Sequence, residues 1–139
     1  MKTPHILMMA AGTGGHVFPA LAVSEELTKR GAVIHWLGTP NGMENGLVAP
    51  TGYPFHAIEM QGLRGKGIGR LLKMPVTLLS ATMAVIKIIR GNNIDIVVGF
   101  GGYVSAPGGI AARLTKTPLI IHEQNAIAGM SNRYLAKMA

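Results

Sequence analysis

A chain of 139 residues is long enough to bury a real core but too short for two independent domains, since a domain of this size removes roughly two-thirds of its unfolded surface from water. Hydrophobic residues make up 48% and charged residues 14%, and cysteine is absent, which excludes disulfides and thiolate metal sites and fits a cytoplasmic origin. Thirteen Lys and Arg against six Asp and Glu leave a net charge of +7, so an anionic partner is expected: nucleic acid, phospholipid or a phosphorylated substrate.

In chain order, His5–Ala11 reads as a buried strand, too short for the apolar core of a secretion signal. Val17–Arg30 reads as a helix ended by Gly31, Ala32–Leu37 as a second strand and Tyr53–Ile58 as a third. The basic, glycine-rich "QGLRGKGIGR" is expected to be a loop, followed by a long helix reaching Arg90. Its longest charge-free apolar stretch, Met74 to Ile86, falls short of the roughly 20 residues of a membrane span. "IDIVVGF" follows as a strand, "SAPGGIAARLTK" as a helix, "PLIIHEQN" as a strand and loop, and "AGMSNRYLAKMA" as the start of another helix. Strands alternating with helices predict an α/β domain: a Rossmann-like parallel sheet with helices on both faces. Trp36 and the methionines are expected in its core.

Ligands of such sheets sit beyond the carboxyl ends of the strands, which directs attention to three loops. In "AAGTGGH", Gly12, Gly14 and Gly15 let backbone N–H groups approach a ligand, and the following helix contributes its positive end. "GFGGYVSAPGG" has the same build, with Ser105 placed to cap the next helix and Pro107 tolerated in its first turn. Two anion cradles at neighbouring strand ends suggest a diphosphate. "HEQN" ends a third strand, with Asn125 the better site candidate and His122 expected to be buried. The GxGxxG pattern begun by Gly12 and Gly14 fails at Val17, and "HWLGTP" has no acidic residue for a ribose, so a nicotinamide dinucleotide is not expected. Neither a P-loop, nor metal-ligand spacing, nor a Ser–His–Asp arrangement is found, and no metal or cofactor is expected.

"AGTGGHVFPALAVSEEL", "WLGT", "GLRGKGI", "GGYVSAPGG" and "HEQNAIAGMSNRYLAK", in this order, resemble the amino-terminal half of the MurG family. Its members transfer N-acetylglucosamine from UDP-N-acetylglucosamine to the lipid-linked acceptor undecaprenyl-pyrophosphoryl-MurNAc-pentapeptide in peptidoglycan synthesis. The chain departs from the family at Ala11 and at Ala106, where glycine is usual. The resemblance implies the first domain of a two-domain GT-B glycosyltransferase: residues 1–139 face the acceptor and the membrane, and a carboxy-terminal donor domain lies outside this chain. It assigns donor contacts to Thr13, Gly14, Gly15 and Asn125. The acceptor diphosphate falls to Gly12, Gly14, Gly15, Gly102, Tyr103, Ser105, Gly108 and Gly109. His16 matches the proposed catalytic base, a task that suits an imidazole titrating near neutrality, with Glu123 as runner-up.

At 100° per residue, Leu72, Val76, Leu79 and Met83 form one apolar stripe, and Leu78, Val85 and Ile89 form another roughly 120° away. A helix packed on one sheet needs only one stripe. Lys73, Lys87 and Arg90 border the first, with Arg64, Lys66 and Arg70 just before it, the make-up of an anchor on an anionic phospholipid surface. The expected location is peripheral, on the cytoplasmic face of the bacterial inner membrane; the competing expectation buries both stripes. Two other functions are weighed: a non-enzymatic docking subunit of a split glycosyltransferase, and a basic nucleic-acid-binding domain. The second ranks last, because one Trp, three Tyr and three Phe are few for base stacking and no nucleic-acid motif is present.

Overall fold

The computed structural model describes residues 2–59, 68–102, 104–122 and 136–137. Strands β1 (His5–Ala10), β2 (Val33–Gly38), β3 (Phe55–Ala57), β4 (Ile96–Gly101) and β5 (Leu119–Ile121) form a parallel sheet in the order β3-β2-β1-β4-β5. Helices α1 (Gly14–Lys29), α2 (Glu44–Val48), α3 (Ile68–Gly91) and α4 (Ser105–Leu114) lie between them, with a 3-10 turn at Ala49–Thr51.

Side-chain alternation along each strand sorts the core into two layers. Leu7, Met9, Leu37 and Val97 meet Ala81, Val85 and Ile89 of α3 and Ala111 and Ala112 of α4. On the other face, Ile6, Met8, Ile34, Trp36, Val98 and Phe100 meet Val17 and Ala20 of α1 and Val48 of α2. The sheet is therefore covered on both faces, as the alternating pattern requires.

Several boundaries differ from expectation. Helix α1 begins at Gly14, three residues earlier than its apolar pattern, because Val17 and Ala20 dock on the sheet and carry the preceding turn into helical register. Its end is as expected: Gly31 adopts φ 95°, and Ala32 N–H returns to Leu27 O at 3.0 Å. Helix α3 begins at Ile68 and runs through Pro75, so Leu72 lies inside it. Ser105 is the first helical residue of α4 and not its cap; Val104 holds the cap position, and the buried Ser105 Oγ has no hydrogen-bond partner.

Residues 44–51 carried no expected element, and their anchor is a buried carboxylate. Glu44 accepts a hydrogen bond from Thr39 Oγ1 at 3.1 Å, and a Cβ on Gly38 would come within 2.9 Å of its Cγ. Trp36 is buried and donates Nε1–H to Ala10 O at 3.0 Å, but Met43 and Met83 are exposed, so the methionines are not all core.

Candidate functional site

The sheet grows outward from β1 to β3 on one side and from β4 to β5 on the other. At such a reversal, loops leaving adjacent strands diverge to opposite faces and open a crevice at the carboxyl ends. The two glycine-rich loops occupy that place. Gly12 has φ 92°, Gly101 φ 120° and Gly102 φ 100°, a region that side-chain-bearing residues rarely adopt. A Cβ on Gly102 would lie 2.5 Å from Ala11 O, so the loops touch backbone to backbone.

His16 sits at that seam, in the first turn of α1. Its Nδ1 lies 3.2 Å from Ala11 O. A carbonyl only accepts, so this bond places the proton on Nδ1 and leaves the Nε2 lone pair as acceptor. Nε2 in turn would be 2.9 Å from a Cβ on Gly101, so the imidazole lies directly over the backbone of the second loop. Gly101 was not singled out in the sequence, although its pairing with Gly102 after an apolar strand was the available signal. The Ala11 carbonyl, which orients the ring, carries no side-chain signature at all.

The amino end of α1 is equipped for an anion. Thr13 is extended and exposed at the cap position, its hydroxyl caps no backbone N–H, and its carbonyl receives the N–H groups of His16 and Val17, each at 3.1 Å. The first N–H groups of the helix are left for a ligand. Neither α1 nor α4 has an acidic residue in its first turn.

The remaining candidates divide. Gly14 and Gly15 belong to the first turn of α1 and adjoin His16, with the exposed Phe18 ring and Met43 packed about Gly14. Gly108 and Gly109 are buried within α4, and Gly108 faces the Met9 side chain, which gives it a packing role between helix and sheet. Ser105 donates its N–H to Gly102 O at 3.2 Å while its hydroxyl is sealed from solvent. His122 is exposed rather than buried, because β5 ends at Ile121; its N–H donates to Gly99 O at 2.8 Å, and its ring rests on Phe100 with centroids 4.8 Å apart. Tyr103, Glu123 and Asn125 lie outside the described residues, as do Arg64, Lys66 and most of the final helical pattern. Among the described residues, no group of three His, Cys, Asp or Glu is placed to hold a metal. A separate depression of about 530 Å³, lined by Leu21, Glu25, Thr28 and Tyr53 among others, lies along α1 and not at the glycine loops.

The family model described as the glycosyltransferase family 28 N-terminal domain matches residues 6–139. The chain belongs to glycosyltransferase family 28. A curated relative from Psychrobacter cryohalolentis is 99% identical over the whole of this chain and 38% of its own length. It is named UDP-N-acetylglucosamine--N-acetylmuramyl-(pentapeptide) pyrophosphoryl-undecaprenol N-acetylglucosamine transferase. A relative of the same name from Cellvibrio japonicus is 57% identical over the same shares of both chains. The crystal structure of Acinetobacter baumannii MurG superposes with a TM-score of 0.87 at 47% identity, covering 98% of this chain and 39% of that one. CalG4, the calicheamicin glycosyltransferase, shares the fold at a TM-score of 0.65 and 20% identity, over 99% of this chain and 37% of its own. This family 28 domain thus spans about 38% of the length of the curated relatives it matches.

Proposed function

We propose that this domain is the acceptor-facing part of an inverting glycosyltransferase that moves N-acetylglucosamine from UDP-N-acetylglucosamine to the C4 hydroxyl of undecaprenyl-pyrophosphoryl-MurNAc-pentapeptide. The observation that carries the reading is the seam at the switch point, where two glycine-rich loops meet backbone to backbone beneath a histidine whose tautomer is set. The near-identical relative bears the name of that transfer.

In this reading the acceptor diphosphate lies along the glycine backbone of both loops and the amino end of α1, where N–H groups and the helix dipole neutralise it. Thr13, Gly14, Gly15 and Asn125 touch the donor, and most of the grip on UDP comes from a second, carboxy-terminal domain. The acceptor C4 oxygen attacks the anomeric carbon from the face opposite the UDP oxygen; the new glycosidic bond forms as the bond to UDP breaks, with inversion. His16 Nε2 takes the hydroxyl proton, and its Nδ1–H bond to Ala11 O stabilises the imidazolium that results. Glu123 stands as the alternative base.

The same reading places the domain at the cytoplasmic face of the inner membrane, bound through α3. Leu72, Val76, Leu79 and Met83 are 72%, 69%, 64% and 50% exposed, whereas Val85 and Ile89 of the second stripe are buried. One stripe is therefore spent on the core and the other is left open, with Lys73 and Lys87 exposed beside it. The segment Leu72–Gly91 is long and apolar enough to cross a bilayer, but its inner stripe is committed to the sheet, which favours lying on the surface.

The test is His16→Ala in the full-length Psychrobacter cryohalolentis relative. Loss of a general base lowers the chemical step by about 10²- to 10⁴-fold with donor affinity little changed. Turnover within a few-fold of the parent removes His16 from that role.

A further inference from the structure

Three histidines that the transfer chemistry does not use form a continuous chain across β1, β2 and β3. His5 Nδ1 lies 3.2 Å from His35 Nε2, and His35 Nδ1 lies 3.3 Å from His56 Nε2. The ring centroids are 5.4 and 5.6 Å apart, the second pair close to stacked. All three project to the sheet face of Leu7, Leu37 and α3, and His35 is buried. The chain has two ends and two bridges, and each bridge holds a single hydrogen between two nitrogens.

That count limits what the chain accepts. With three neutral rings, two N–H groups fill the bridges and the third sits on an outer nitrogen, His5 Nε2 or His56 Nδ1. One added proton fills both outer nitrogens with neither bridge broken, and an end ring carries the charge while the bridges run head to tail from it. A second added proton has no vacant outer nitrogen, so two N–H groups must face each other across one bridge. It also puts two charges on adjacent or near-adjacent rings. The core residues of that face, Leu7, Leu37 and Ile58 from the strands and Ala81, Val85 and Ile89 from α3, offer no counter-charge. At the His5 end, Asp95 Oδ2 accepts the His5 backbone N–H at 2.8 Å and Lys2 pairs with Asp95 at 3.0 Å.

The bridge to β3 is the one placed to yield, because β3 pairs with β2 over three residues, with Phe55 and Ile58 packed in the core beside it, whereas β1 pairs with β2 over five. β3 is three residues long and lies at the sheet edge, joined to β2 by bonds such as Trp36 N–H to Pro54 O at 2.8 Å and Ile58 N–H to Gly38 O at 3.0 Å. We propose that the His5–His35–His56 chain is a proton-operated latch: it takes up one proton with both inter-strand bonds intact, and it loosens β3 against β2 when a second arrives. The latch is closed at neutrality and opens as pH falls below the ordinary histidine range. Burial, followed by the charges of His56 and His5, holds His35 below that range, and burial does the same for His56.

The experiment is imidazole ¹⁵N NMR of this chain through an acid titration, with amide hydrogen exchange followed at Trp36 and Ile58, which bridge β2 and β3, and at Val97, which bridges β4 and β5. The first proton should shift the bridging nitrogens of all three rings together. As pH is then taken below the ordinary histidine range, protection at Trp36 and Ile58 should fall at least about tenfold while Val97 is unchanged. In His35→Leu that selective loss should vanish. Where His35→Leu does not fold, His5→Gln and His56→Gln replace it, and each should abolish the loss or move it to lower pH. Rings that titrate independently, loss of protection shared equally by Val97, or selective loss that persists in the variants would overturn the latch.

Discussion

Replacing Leu72, Val76 and Leu79 together by serine separates a membrane face from a core face. These side chains are 72%, 69% and 64% exposed, so the folded domain already leaves most of their apolar surface in water. Complete burial of such a side chain contributes ~1.5–3 kcal/mol, so the exposed share of the three amounts to ~3–6 kcal/mol. A helix lying in the headgroup boundary immerses only its apolar face; taking about half of that share gives ~2–3 kcal/mol. Vesicle partitioning should therefore weaken about 30- to 150-fold. The assay is sedimentation with vesicles of anionic phospholipid, read beside thermal unfolding of the same variant. Unfolding should stay cooperative, because Ala81, Val85 and Ile89 still hold α3 to the sheet. Unchanged partitioning would refute the membrane face, and loss of cooperative unfolding would show that the stripe is core.

Gly102→Ala should cost ~1–3 kcal/mol, because φ 100° and the Ala11 carbonyl both oppose a Cβ there; an unchanged Tm would contradict the seam. The same variant should displace the acceptor of His16 Nδ1–H and alter that ring's tautomer balance, read by ¹⁵N NMR. Asp95 is held below the usual carboxylate range, first by the His5 backbone N–H and then by Lys2. Its folded pKa lies below its unfolded one, so its contribution is present above about pH 4 and is lost on further acidification. Asp95→Asn should accordingly flatten the acid limb of the stability–pH curve, and an identical limb would exclude this ion pair from acid unfolding.

What was legible in the sequence followed from periodicity and glycine. The alternation of apolar runs with helical patterns gave the doubly covered sheet, and the glycines after β1 and β4 marked the crevice before the strand order was known. Strand order itself leaves no local trace, so the switch point emerged only from the pairing of β1 with both β2 and β4. Two helix starts were misjudged: α1 begins at Gly14, where packing of Val17 and Ala20 overrode local preference, and α3 begins at Ile68, inside the expected loop. The segment around Glu44 was silent because a buried carboxylate in a five-residue helix has neither periodicity nor a motif. The two stripes of α3 were visible as a pattern, but only the structure showed which one the sheet takes. Likewise, the histidines at 5, 35 and 56 are far apart in sequence, and parallel register alone brings them into line.

The central claim is that the paired glycine loops hold the acceptor diphosphate while this domain barely grips the donor. Amide NMR of this 139-residue chain, titrated separately with a soluble diphosphate mimic of the acceptor and with UDP-N-acetylglucosamine, tests it most directly. The mimic should shift the amides of residues 12–16 and 102–109, whereas the donor should bind no better than about millimolar, ~4 kcal/mol of binding free energy. Micromolar donor binding by this chain, or an acceptor mimic that perturbs neither loop, would contradict it.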